Sequence, residues 1–228
     1  AIPDMVRFQK WREDFDSLVA IDALPQFISL RLPNDHTAGA KVGMPTPKAM
    51  VAENDLAVGK LIEHISHSPI WKESAVFILE DDAQNGPDHV DAHWSTAYVV
   101  SPYAKRNTRV STMYSTTSML RTIELILGLP PMSQYDAAST PMWECFTASQ
   151  DLSPFVSLDA TYDIHEMNMD ENTISELSDS FNLEVMDAAP DDLFSQVIWK
   201  TVKGLESEMP APVRSAFILQ KPEEELAE

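Results

Sequence analysis

A single cysteine, six glycines and the absence of any lysine and arginine cluster mark what this 228-residue sequence is short of. With Cys145 alone no intrachain disulfide can form, and cysteine usage says nothing about redox compartment. Six glycines form no Gly-rich loop to cradle phosphate, and no Gly-x-Ser-x-Gly elbow presents a serine nucleophile. Lys+Arg number 16 against 36 Asp+Glu, a net charge of −20 that argues against nucleic acid as a partner, because phosphate backbones are gripped by basic clusters. Long apolar runs are missing too, and charges scattered through residues 1–25 leave no apolar signal core. The chain is therefore expected to be soluble, without a membrane span, and any targeting signal lies outside it.

What is present can fill a core: 44% of residues are hydrophobic, with nine Phe and five Trp. Charge is uneven, with 18 acidic and four basic residues from Asp151 onward. An acidic protein that handles a phosphate ester would need metal cations to offset the repulsion.

The order of elements points to an α/β fold. Met5, Phe8, Trp11, Phe15 and Leu18 recur at helical spacing over residues 4–20, with Asp4 as the cap. Phe27–Leu32 reads as a strand that stops at Pro33. Thr46-Pro47 opens a helix to about Ser66. Ala75–Leu79 reads as a buried strand of a parallel sheet, since it is apolar without alternation, and Ala97–Val100 as another. A helix from about Ser115 to Leu127 ends at Gly128, with Met113, Met119, Leu120, Ile123, Leu125 and Ile126 as core. Residues 151–190 are rich in Asp, Ser and Asn. Residues 191–203 then form a capped amphipathic helix with Leu193, Val197, Ile198 and Val202 on its apolar side and Trp199 in the core. The expected organisation is a domain over 1–148 and an acidic extension over 149–228 that packs on it through this helix.

In open α/β sheets functional residues gather beyond the carboxyl ends of strands. Asn34, Asp35 and His36 follow the first strand, Glu80, Asp81 and Asp82 the second, and His89, Asp91 and His93 precede the third. Carboxylates and imidazoles together form a ligand set for Zn²⁺ or a similar ion. Asp81 and Asp82 leave an apolar strand with no nearby Lys or Arg, and adjacent carboxylates repel unless a cation lies between them. A turn through Asn85-Gly86-Pro87 is the structural alternative for this pair, and a hydrogen-bonded turn is the alternative for His36. His64 and His67 read as an exposed helix end, and His165 has no role.

The stretches RFQKWREDFD, LPNDHTAG, ENDLAVGKLIEHISHSPIWKESAVFILEDDAQNGPDHVDAH and STTSMLRTIELILGLPPMSQYDAA resemble bacterial phosphoesterases of the alkaline phosphatase superfamily, which includes phospholipase C and acid phosphatase types. APDDLFSQVIWKTVKG and MPAPVRSAF resemble a subgroup that carries an N-terminal β-propeller, absent here. The resemblance implies a partial alkaline-phosphatase-like sandwich, a mostly parallel sheet flanked by helices with an irregular acidic C-terminal extension. It implies metal-dependent hydrolysis of a phosphomonoester or phosphodiester, the substrate being a phosphorylated small molecule or a phospholipid in the periplasm or outside the cell. Asp81 and Asp82 then resemble the acidic pair for one metal. His36, with Asp35 or Asn34, and His93 resemble the ligands of the other, and His89 a phosphate contact. Zinc is the expected ion, with Mg²⁺, Mn²⁺ or Ca²⁺ admissible.

Two departures bear on activity: Trp94 stands where relatives often have Arg, and no Ser or Thr in residues 1–30 sits at a strand-to-helix turn. The nucleophile is expected in chain preceding Ala1, so the 228 residues alone should be inactive. A binding or surface module that keeps the scaffold without the chemistry is the competing expectation.

Overall fold

The computed structural model describes residues 2–81, 95–185 and 188–211. Along them run α1 (Asp4–Ala20), α2 (Pro47–Ser66), β1 (Val76–Leu79), β2 (Ala97–Val100), α3 (Thr116–Leu127), α4 (Gln134–Ala138), α5 (Thr173–Asp179) and α6 (Asp191–Lys203). Single 3₁₀ turns at Asn34–His36, Trp71–Glu73 and Trp143–Cys145 join them.

Packing starts from α1 against α2. Phe8 and Phe15 lie one above the other on one face of α1 and meet Ala57, Leu61, Ile62 and Ile65 of α2, with Trp71 closing the cluster. Burying each Phe contributes about 1.5–3 kcal/mol, so this seam anchors the body. α2 begins as its sequence dictates, with the Thr46 hydroxyl accepting the Ala49 N–H at 3.2 Å and Pro47 in the first turn. α1 does not: Pro3 is its N-cap and no side chain caps it, so Asp4 is a first-turn residue rather than the cap. Asp4 is fully buried and serves a different purpose, described below.

The parallel sheet expected from the sequence is not the one formed. β1 and β2 pair antiparallel, Val76 opposite Val100 and Leu79 opposite Ala97. A short apolar run does not reveal strand direction, and these strands are half-buried instead of being covered on both faces, with Tyr98 59% exposed. Phe27–Leu32 forms no strand. It runs without regular structure, with Phe27, Ile28 and Leu30 exposed, and no described strand lies beside it to complete a ladder. Among the described residues the fold mixes α and β elements, its regular structure mostly helical, with a small antiparallel ribbon in place of a mostly parallel sheet.

α3 has the predicted ends. Ser115 and Ser118 form a reciprocal capping box, and Gly128 terminates the helix at φ +68°. Its orientation reverses the expectation: Ser118, Thr122 and Glu124 are buried beside Met119, whereas Met113, Leu120, Leu125 and Ile126 are exposed. Polar bonds explain the inward face. Thr122 donates to the Ser118 carbonyl at 2.7 Å and accepts the Met142 N–H at 2.8 Å, and Arg121 pairs with Glu124 at 3.1 Å.

Residues beyond 150 are stitched to the body. Arg106 holds Asp151 at 3.0 Å and lies over the Phe155 ring, and Phe155 packs edge-on against Trp71. α5 went unread because seven residues carry little periodicity; Asn172 caps it by accepting two backbone N–H groups. α6 has the expected bounds without a side-chain cap. Its buried residues are Phe194 and Val197, while Leu193 is exposed and Trp199 is half-buried, donating from its indole to Ser207.

Candidate functional site

The turn carrying Asp35 and His36 is fixed from beneath by a buried polar hub. Glu53 projects from α2 and its carboxylate accepts the Asp4 N–H at 3.1 Å, the Met5 N–H at 2.6 Å and the Asn34 side-chain amide at 2.6 Å. Asp4 in turn accepts the Asn34 N–H at 2.8 Å and the Asn54 amide at 3.0 Å. Asp4, Asn34 and Glu53 are all buried. The first-turn N–H groups of α1, which have no partner inside the helix, thus receive a carboxylate at the positive end of the helix dipole. Asn34 is accordingly a structural residue in this hub. Its neighbours Asp35 and His36 remain exposed at the surface.

From the side, the turn is held by the later part of the chain. Thr37 adopts φ +63° and its hydroxyl accepts the Gly39 N–H at 3.2 Å. Ser178 of α5 accepts the Ala40 N–H at 3.0 Å and donates to the Ala38 carbonyl at 3.2 Å. Gly39 has φ +59°, and a Cβ there would stand 2.6 Å from the Ser178 hydroxyl and 3.0 Å from Val197. Only glycine satisfies both the backbone angle and the closeness of α5 and α6. The His36 ring stacks on Phe194 of α6 with centroids 5.3 Å apart.

Asp81 follows β1, whose ladder continues one step through the Glu80 N–H to the Thr96 carbonyl at 3.0 Å. Partial burial raises the pKa of Asp35, and the charges of Asp4 and Asp81 add to the effect. Asp82, His89 and His93, together with Asp91 and Trp94, lie outside the described residues. Among the described residues no group of three or more His, Cys, Asp or Glu is placed to hold a metal ion. Asp35, His36 and Asp81 are the described members of the expected donor set, two carboxylates and an imidazole of the kind a Zn²⁺ site uses.

Of the other histidines, His64 meets Asp16 at 2.6 Å and stands edge-on to Phe15 and Trp11, so it braces α2 against α1. His67 caps the end of α2 and bonds the Glu63 carbonyl at 2.8 Å. The sequence reading missed Asp4, Glu53, Gly39 and Phe194. A signal existed for Glu53, since an acidic residue one turn before Ala57 stands on the apolar face that α2 turns toward α1.

Among the described residues no helix is long and apolar enough to cross a membrane. In comparisons with known proteins, the sequence model of the Phosphoesterase family matches residues 12–130, more than half of the chain. No curated protein and no solved structure matches it.

Proposed function

Because the chain belongs to the phosphoesterase family, whose members hydrolyse phosphate esters, we propose that it supplies one side of a metal-dependent active site in a longer enzyme of the alkaline phosphatase superfamily. The carrying observation is the match of the phosphoesterase family model to residues 12–130, a span that holds Asp35, His36 and Asp81. In this reading Asp81 and Asp82 bind one ion, His36, Asp35 and His93 another, and His89 contacts the phosphoryl group. Zinc suits the imidazole and carboxylate donors best, and when bound it would neutralise phosphate charge in this acidic protein. Residues 1–148 belong to the catalytic domain and 149–228 form its acidic extension, in the periplasm or outside the cell. The substrate is a phosphorylated small molecule or a phospholipid.

Two features support the partial-site reading. Among the described residues β1 and β2 pair only with each other, and a two-strand ribbon is marginal without further strands or covering layers. The outward face of α3 and the turn after it expose Leu125 by 51%, Ile126 by 55%, Leu129 by 51% and Met132 by 73%, an apolar surface suited to burial by more of the same domain. The nucleophile belongs to that further chain, so the 228 residues alone bind metal weakly and do not turn over ester. Zinc titration of the chain by calorimetry should give weak binding that Asp81→Asn and Asp35→Asn each reduce. Turnover of p-nitrophenyl phosphate by these 228 residues, abolished by Asp81→Ala, would overturn the proposal that the nucleophile lies elsewhere. Trp94, in place of the Arg frequent in relatives, favours the competing reading of a non-catalytic module. An intact protein that holds no stoichiometric metal would establish that reading.

A further inference from the structure

Beside Asp35 the surface opens into a cleft of about 520 Å³ between α2, the segment around Tyr162 and α6. Its size is that of a small-molecule site. Its walls are apolar: Val51 and Ala52 come from α2, Ile198 and Val202 from α6, and the Tyr162 ring closes one side. Ile198 and Val202 of α6 are half-buried and line the cleft, while Phe194 and Val197 of the same helix are buried in the core. Charged groups also line the cavity. Asp35 and Asp55 bring two carboxylates, against one ammonium from Lys48 that lies 5.7 Å from the centre of the Tyr162 ring.

We propose that this cleft holds the alcohol portion of the phosphate ester, and that it accepts an organic group with a ring-sized apolar body that is neutral or cationic. The inference rests on the phosphoesterase reading and adds a substrate class to it. Geometry supplies the link to chemistry. Asp35, a candidate metal ligand, is itself part of the wall, so an ester whose phosphoryl group sits at the metal side has its organic group directed along α2 and α6. Charge supplies the selectivity. Two carboxylates with one ammonium already engaged on an aromatic face repel an anionic group, and the protein's overall charge of −20 adds to that repulsion.

The test uses the full 228-residue chain and three probes that share a benzyl or phenyl ring and carry no phosphate: benzyl alcohol, benzylamine and benzoate. Binding is followed by amide chemical-shift changes at Val51, Tyr162 and Val202. Benzylamine and benzyl alcohol should both bind, and benzoate at least tenfold more weakly than benzyl alcohol. Val51→Trp, at a position 47% exposed and so tolerant of a larger side chain, should fill the cleft and weaken benzyl alcohol at least tenfold. Ile198→Trp provides a second obstruction from the opposite wall. Benzoate binding as well as benzyl alcohol, or ring binding untouched by both obstructions in folded variants, overturns the proposal. No metal or ester enters this experiment, so its failure removes the cleft assignment by itself. Failure of the underlying reading is seen separately, in the metal content of the intact protein.

Discussion

Replacing Glu53 by alanine removes the acceptor for three buried donors at once: the Asp4 and Met5 N–H groups and the Asn34 amide. A buried donor left without a partner costs about 1–3 kcal/mol. The first two sit at the start of α1, where fraying of the first turn lets water reach them, so the lower half of that range applies. The three together come to about 3–7 kcal/mol. Against a total stability of about 5–15 kcal/mol this is a large fraction, and for a chain of this size it corresponds to a fall of roughly 10–20 °C in melting temperature. Glu53→Gln keeps one oxygen but turns an NH₂ group toward donors, so it should cost about half as much. Urea unfolding followed by the fluorescence of Trp11 and Trp71, both near the α1–α2 seam, reads these differences directly. A cycle with Asn34→Ala tests the wiring. Because the two residues share a bond, the double variant should be less destabilised than the sum of the singles by about 1 kcal/mol. A Glu53→Ala chain within about 1 kcal/mol of the parent, or strict additivity in the cycle, would refute the hub as the support of the Asp35 turn.

Other outcomes follow from the same contacts. Gly39→Ala meets both a left-handed backbone and the Ser178 hydroxyl, and should lower stability by about 2 kcal/mol in a thermal melt, with faster proteolysis between residues 160 and 205 as the readout of α5 and α6 loosening. Phe194→Ala empties a position 2% exposed and should cost about 3–5 kcal/mol, while an NMR titration would show the His36 ring signals moving toward solvent-exposed values. The Ser133 hydroxyl, with help from Glu124 and the Met132 N–H, holds the Asp136 carboxyl well below the usual carboxylate range. A depressed folded pKa means that the stabilisation is present at neutral pH and is lost as pH falls below about 4, toward the folded value. Melting temperatures recorded between about pH 6 and 3 should fall less steeply in Asp136→Asn than in the parent.

Local signals in this sequence translated well into local structure. Thr46-Pro47 capped a helix, Ser115 and Gly128 bracketed another, and Asp191–Lys203 fell where its apolar spacing placed it. Each of these signals acts within a few residues, so no distant partner can change it. Strand direction and helix orientation are set elsewhere in the chain. Nothing within Val76–Leu79 or Ala97–Val100 indicates that the two pair with each other head to tail. The apolar count of α3 outweighs Thr122 in any periodicity argument, yet its bond to the Met142 N–H, 20 positions away, holds it inward. Residue types alone single out Asp35, His36 and Asp81 as candidates, whereas the hub beneath them was not legible: Asp4 and Glu53, 49 positions apart in sequence, could not be joined before the fold did so.

The clasp between Ser178 and residues 38–40 also sets an order of events during synthesis. Its two hydrogen bonds span 138 and 140 positions, and Phe194 arrives later still to stack on His36. When α1 and α2 have left the ribosome they can pack at once, for their contacts are near in sequence. The loop bearing Asp35 and His36 then rests on the α1–α2 hub beneath it but lacks α5 and α6 at its side. It reaches its final shape only after about 150 further residues have followed, a closure whose entropic cost grows slowly with loop length but whose search is long. The loop of Asp35 and His36 is among the first parts of the described chain to be translated and among the last to be finished.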